Sequence, residues 1–317
     1  MKTRRVVVAG IVMMFSPGLK AAVECSVQGS PVMDFGTVDP FTGGPVSTQV
    51  TVNWSCTRGF FESTQNTLCL HVNNDDTGGM LPRYLVPLSS QPPSLPFNVF
   101  DAANHSTVVG QPGGATNTGV GVNVSMPFFT FSASGTATFY GLIATPLPGN
   151  TRAELHRALM AGSQARVRIN GFNQSCSAGA GAVTDTYPLT AQVNIPDQCQ
   201  VSSTDLDFGT QNPPLAQADS TSTITVRCSN ATDFEVGLNN GASGNRTMTN
   251  GSYQVSYELY QDSGRTQRWG TASGEQQSGT GLGPGTGLSF TVFGRVFDDA
   301  GAEPGSYSDT VTVVVTF

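Results

Sequence analysis

Beyond residue 22 the chain contains no lysine. Schiff-base chemistry, a P-loop phosphate lysine and Lys–Asn isopeptide cross-links are therefore excluded from that whole stretch. Charge is scarce overall, at 12% of residues, and the three histidines, His71, His105 and His156, fall in no H-x-x-x-H or H-E-x-x-H spacing. There is no C-x-x-C pair to suggest a zinc ribbon or a thioredoxin-like site, and no G-x-S-x-G elbow. After residue 22 no apolar run approaches the 18 residues of a membrane-spanning helix. Neither an enzyme nor a cofactor or metal is expected.

What is present favours strands and turns. Among 317 residues there are 37 Gly and 19 Pro, with Thr, Val, Ser and Asn abundant and the helix formers Glu and Lys sparse. An apolar content of 38% still supplies a core. All 22 acidic residues lie after residue 22, where they face 11 Arg, giving a net charge of −11 there. No basic footprint for nucleic acid or anionic lipid exists.

Residues 1–22 read as a secretory signal peptide. Met1-Lys2-Thr3-Arg4-Arg5 is a positive n-region, Val6 to Phe15 is apolar, and Ser16 to Ala22 supplies small residues around Pro17. Cleavage is expected between Gly18 and Ala22, leaving an exported protein with six cysteines: Cys25, Cys56, Cys69, Cys176, Cys199 and Cys228. An even count in an exported chain points to disulfides.

An internal repeat organises the rest. Cys25-Ser26-Val27, Asp34-Phe35-Gly36-Thr37 and a Thr/Val strand ending at Cys56 recur as Cys199-Gln200-Val201, Asp207-Phe208-Gly209-Thr210 and a strand ending at Cys228. Further collinear matches follow: Asn73-Asn74 with Asn239-Asn240, Phe139-Tyr140-Gly141 with Val292-Phe293-Gly294, and Pro148-Gly149 with Pro304-Gly305. Collinearity over more than a hundred residues implies a duplicated domain, 23–195 and 199–317, joined by a short connector. Each copy holds short alternating segments between turn residues, so the expected fold is all-β, two immunoglobulin-like sandwiches in tandem. The repeat implies the disulfides Cys25–Cys56 and Cys199–Cys228, and elimination leaves Cys69–Cys176.

The first copy carries extra material. Thr151 to Gly162 is expected as a helix, with Thr151 and Glu154 as a capping box and Leu155, Leu159 and Met160 on one face. A strand over Gln164 to Phe172 and a final alternating strand over Thr186 to Ile195 should follow. The second copy has no counterpart of that final strand. Either it is complete with fewer strands, or it exposes a groove at a sheet edge that a strand from another chain fills.

The D-F-G-T segments, Tyr257 to Gly270 and the terminal stretch Pro304 to Phe317 resemble the spore coat protein U domain, which builds subunits of archaic, Csu-type chaperone–usher pili. The resemblance is specific over 199–317 and weaker over 23–195. It implies an incomplete C-terminal sandwich completed by donor-strand complementation. A periplasmic chaperone completes it first, and the N-terminal strand of the next subunit does so after passage through an outer-membrane usher. Val311, Val313, Val315 and Phe317 are the expected groove-lining residues. At most about six residues are expected between the cleavage region and Cys25, too few for a donor strand (3.3–3.6 Å per residue). Together with the two-domain layout, this implies a tip adhesin at the cell surface.

In a sandwich of this kind the distal end of residues 23–195 should carry Thr57 to Thr67, part of Val108 to Met126, and Phe172 to Val183. Phe60 and Phe61 are adjacent in the first of these; the third offers Phe172, Ala178, Ala180, Ala182 and Val183. The expected surface-binding residues are Phe60, Phe61, Phe172 and Val183, contacting an abiotic or host surface and supporting biofilm formation. Alternatively, Phe60 and Phe61 cap the core. Pro127-Phe128-Phe129 is expected as core strand, Asn73-Asn74-Asp75-Asp76 as a turn, and Arg246, Arg265 and Arg268 as solvated or turn-structuring. A carbohydrate-binding tip and a non-adhesive coat or minor fibre subunit are the competing readings; Trp54, beside Cys56 on a core strand, is a poor sugar platform.

Overall fold

A computed structural model describes residues 23–144, 146–177 and 181–317; the expected signal segment 1–22 lies outside the described residues, as do Ala178 and Ala180. Among the described residues there is no helix. The chain is all-β.

Ten strands precede residue 195: β1 (Glu24–Val27), β2 (Val32–Thr37), β3 (Val46–Thr57), β4 (Gln65–His71), β5 (Arg83–Pro87), β6 (Leu95–Phe100), β7 (Val120–Ser125), β8 (Ser132–Ile143), β9 (Leu155–Ile169) and β10 (Ala182–Asn194). They form the orders β1-β3-β8-β6-β5 and β7-β4-β9-β10-β2, linked where β5 also pairs with β9. Eight strands follow: β11 (Cys199–Ser203), β12 (Ala218–Cys228), β13 (Asp233–Leu238), β14 (Thr247–Asn250), β15 (Tyr253–Tyr260), β16 (Gln277–Thr280), β17 (Leu288–Val296) and β18 (Val313–Thr316). Their orders are β11-β12-β17-β15-β14 and β16-β13-β18.

The buried apolar side chains form two clusters, one drawn from Val23 to Ile195 and the other from Ile224 to Val292, with partly buried residues from Cys199 to Val315 packed against the second. Strand alternation explains both. In β3, Val50, Val52, Trp54 and Cys56 point inward at every second position, and in β12 so do Ile224, Val226 and Cys228. The repeated D-F-G-T segments share one local geometry. Gly36 and Gly209 sit at φ of +71° and +70°, and each amide donates to the preceding aspartate, Asp34 or Asp207, at 2.8 Å. Only glycine holds that left-handed conformation without penalty. Disulfides join β1 to β3 (Cys25–Cys56), β11 to β12 (Cys199–Cys228), and β4 to the loop after β9 (Cys69–Cys176).

The expected helix over 151–162 is absent. Residues 155–169 form one long strand whose buried residues recur every second position, His156, Ala158 and Met160 first and, after a shift of phase at Ala161-Gly162, Ser163, Ala165 and Val167. The capping pattern is used otherwise: the Thr151 hydroxyl donates to the Pro148 carbonyl at 2.6 Å, and Glu154 accepts from Ser89 and Arg152. The Ala153 amide donates to the Asn230 carbonyl at 3.0 Å, outside its own segment. With β10 and β5 available as ladder partners, tertiary pairing overrides a local helical signal. The expected strand from Gln164 is thus the second half of β9, and Val108 to Met126 is not all loop, since β7 lies within it.

The two strand orders correspond position by position, with one difference. β7-β4-β9 matches β16-β13-β18, but beyond β9 stand β10 and β2, whereas among the described residues β18 pairs with β13 alone. The inward face of β10 supplies Tyr187, Leu189, Ala191 and Val193, all at most 2% exposed. Among the described residues nothing equivalent covers the second core.

Candidate surface-binding tip and strand groove

One end of the first sandwich gathers three loops. The first connects β3 to β4 as the turn Gly59-Phe60-Phe61-Glu62, closed by the Glu62 amide on the Gly59 carbonyl at 3.3 Å. The second connects β7 to β8 as the turn Pro127-Phe128-Phe129-Thr130, closed by the Thr130 amide on the Pro127 carbonyl at 2.9 Å. The third follows β9, and its Asn170 and Gly171 amides donate to the Ser63 hydroxyl and the Gln65 carbonyl.

Both turns therefore carry Phe–Phe at their two central positions, where Gly, Pro, Asn, Asp and Ser normally dominate. Phe61 is 96% exposed and Phe129 80%. Phe60 lies against Phe61, Phe129 and Phe131, with ring centroids 5.1, 6.3 and 6.1 Å away. Pro127-Phe128-Phe129 is thus not core strand: Phe128 is also exposed, and the two rings extend the patch of Phe60 and Phe61. Phe172 is exposed on the third loop, as is Ile169 at the end of β9, which the sequence reading missed. Val183 is exposed too, but it pairs with Arg166, three rungs below Ile169, and stands back from the turns.

Beneath the turns lies Arg58, 6% exposed. Its Nε donates to the carbonyls of Met126 (2.8 Å) and Thr130 (3.0 Å), and Nη2 to Pro127 (2.9 Å). Its Nη1 donates to Gly59 (3.0 Å), Glu62 (3.3 Å) and Phe60 (3.4 Å). The guanidinium also sits 5.3 Å from the centre of the Phe131 ring. Six carbonyl dipoles of two loops thus share one cation.

The other expected polar sites resolve into structure. Asp75 accepts from the amides of Thr77, Gly79 and Tyr84, and the Gly78 amide donates to its carbonyl at 3.0 Å, so the closed turn spans Asp75–Gly78 and only begins within the Asn73–Asp76 cluster. Trp54 is buried. His71 and His156 are fully buried, and burial lowers both imidazoles below the usual histidine range despite acceptor carbonyls at Gly110 and Arg152. Among the described residues no group of three His, Cys, Asp or Glu could hold a metal ion.

Arg246 is not solvated. It is buried, donating from Nη2 to the carbonyls of Leu238 and Trp269 at 2.9 Å each, while Nη1 lies 3.3 Å from Glu258. Arg83, which the sequence reading passed over, is its counterpart in the first copy, donating to Val72, Asn73 and Val109. Arg268 bridges Glu258 and Glu275 at 2.9 and 2.6 Å, and Arg265 pairs with Asp219 at 3.2 Å.

At the edge of the second sandwich a groove of about 480 Å³ runs beside β18, with an apolar floor of Leu238, Tyr257, Leu259 and Val292, walls that include Val311 and Val313, and a polar rim that includes Asp205, Ser308 and Asp309. Val311, Val313 and Val315 are half-buried against the second core. Phe317 is exposed and lines a separate shallow hollow with Phe234 and Thr316. The groove continues past Tyr307 towards Leu215, Val255 and Val296. The Tyr257 hydroxyl donates to Asp309 at 2.7 Å within it, and burial together with that carboxylate pushes the phenol well above its usual range.

The Spore Coat Protein U domain model matches residues 13–154 and 185–314, so the chain belongs to the Spore Coat Protein U domain family. Protein U of Myxococcus xanthus is 30% identical over 159 residues, covering 44% of this chain and 88% of that protein. In overall fold the chain is similar to a subunit solved in the CsuC–CsuE chaperone–tip adhesion subunit pre-assembly complex from the archaic chaperone–usher Csu pili of Acinetobacter baumannii. The TM-score is 0.54 at 20% identity, over 92% of this chain and 100% of that one.

Proposed function

We propose that this chain is the tip adhesin of a chaperone–usher pilus. In this reading residues 1–22 are the export signal, 23–195 the surface-binding domain and 199–317 an incomplete immunoglobulin-like pilin domain. The partners are a periplasmic chaperone, an outer-membrane usher and the next subunit, whose N-terminal strand fills the groove lined by Val311, Val313 and Val315. The protein then reaches the cell surface at the fibre tip, where it attaches cells to surfaces and supports biofilm formation. The role is binding, not catalysis.

The observation that carries the reading is the pair of Phe–Phe turns. Phe60, Phe61, Phe128 and Phe129, with the neighbouring Phe131, expose roughly 600 Å² of apolar surface together, at the upper limit of what a monomer leaves bare without a use for it. Burying half of it on a hydrophobic surface is worth about 7 kcal/mol before the costs of association. Many fibres per cell multiply a weak contact. The unpaired edge of β18 supports strand acceptance, since such an edge is a template for another chain. The pre-assembly partner of the Csu tip subunit is a chaperone, which supports the same partner here.

The test is attachment of the full chain to polystyrene beads and to a glycan array, with and without Phe60→Ser/Phe61→Ser. Salt-resistant attachment to plastic that falls at least tenfold in the variant, with no glycan signal, is the expected result. A discrete glycan signal that survives the substitutions makes the protein a lectin, and no binding by either form makes it a structural subunit.

A further inference from the structure

Phe129 stands at φ +67°, in the left-handed region that costs every side chain but glycine's dearly, and it occupies the third position of its turn, where glycine or asparagine is usual. Its ring is largely exposed and meets Phe60 at a centroid distance of 6.3 Å, so little packing rewards that conformation. Strain of this kind persists only where surrounding contacts over-determine it. The contacts that do so come from Arg58. Its Nε and Nη2 grip the carbonyls before and after the strained residue, those of Met126, Pro127 and Thr130, while Nη1 holds the neighbouring turn at Gly59, Phe60 and Glu62. The Arg58 amide donates to the Phe131 carbonyl at 3.0 Å, and the Met126 amide to that of Thr64 at 2.8 Å, so the backbones are stitched at the base as well.

We infer that Arg58 is the positioning residue of the aromatic tip: its guanidinium fork fixes the two Phe–Phe turns against each other and holds Phe129 outward. This rests on the adhesive reading above. A planar fork with five donors can serve two loops at once, whereas a lysine ammonium presents three donors from one point. A preorganised patch loses less on binding than one that must first collapse together.

The full chain carrying Arg58→Gln, Arg58→Lys, Phe129→Gly or Arg58→Gln/Phe129→Gly is compared with the unaltered protein by amide hydrogen exchange, thermal unfolding and attachment to polystyrene beads. In Arg58→Gln the amides of Glu62, Met126 and Thr130 should exchange at least tenfold faster while those of β3 and β9 stay within twofold, and attachment should fall about tenfold. Arg58→Lys should recover less than half of either loss. Phe129→Gly, which cannot jeopardise the fold by adding strain, should leave Tm unchanged or higher while attachment falls severalfold. Arg58→Gln should lower Tm, and combining it with Phe129→Gly should recover part of that loss without restoring attachment. Unchanged exchange at the three tip amides, an equal rise across the whole domain, or full rescue by lysine overturns the role assigned to Arg58. If the unaltered protein and the Phe60→Ser/Phe61→Ser variant attach equally, the adhesive reading fails instead, and the exchange pattern still decides whether Arg58 couples the turns.

Discussion

Acidification from pH 7 to pH 5 should weaken one half of this chain and spare the other. His71 and His156 lie fully buried in the first core, and burial holds both below the usual histidine value of 6.5. A histidine depressed in the folded state takes up its proton more readily once unfolded. Its stabilising contribution is complete above pH 6.5 and is lost as pH falls from there towards the depressed folded value. Within that window each group changes the unfolding free energy by up to about 1.4 kcal/mol per pH unit, and the pair by up to about 3 kcal/mol. For a unit of this size about 1 kcal/mol moves Tm by roughly 2–4 °C. Between pH 6.5 and 5.5, where the unfolded imidazoles pass from half to about nine-tenths protonated, the pair loses up to about 2 kcal/mol and the first transition should drop by up to about 4–8 °C. No histidine follows residue 156, so the second core is an internal control. Its depressed carboxylates, Asp219 beside Arg295 and Asp262 under the amides of Gln267 and Thr266, lose their contribution only as pH falls below about 4. Calorimetry of the full chain across this range reads both transitions. His71→Asn keeps a donor for the Gly110 carbonyl and His156→Gln one for Arg152, and each should remove about half of the slope. A flat first transition, or an equal slope in the second, refutes the reasoning.

Two further outcomes follow from the paired buried arginines and the open edge. Arg246→Met removes the partner of two buried carbonyls and of Glu258 and should lower the unfolding free energy of the second core by about 3–5 kcal/mol in urea titration, with Arg83→Met doing the same to the first. A copy of Thr186–Ile195 appended after Phe317 through a flexible linker should fill the groove and raise the second transition by about 5 °C or more. The same copy with Leu189 and Val193 changed to Asp should not.

How much of this was legible depends on how local the cause is. The D-F-G-T geometry is set within four residues, so Gly36 and Gly209 announced themselves, and the alternation of β12 or β18 is read directly from every second residue. Leu155, Leu159 and Met160 misled because that spacing suits a helix, while the strand they join is decided by β10, some thirty residues later. Pro127-Phe128-Phe129 misled because an apolar triplet usually belongs to a core. The recurrence of Phe–Phe between polar or turn residues, at Gly59–Glu62 and again at Pro127–Thr130, was the signal that could have found it. Arg58 carried no such signal: its partners in the second turn lie 68 and 69 residues along the chain, and only the folded tip brings them under one guanidinium. Arg83 and Arg246 could have been paired through the repeat, since each follows the matched asparagines within ten residues, but the carbonyls that hold each come from two separate segments.

The central claim concerns position as much as stickiness. The most direct test is immunogold electron microscopy with antibodies against residues 23–195 on cells that produce the protein. A single label at the free end of each fibre is the expected result. Labels spaced along the shaft, or spread over a cell surface without fibres, would contradict the tip assignment.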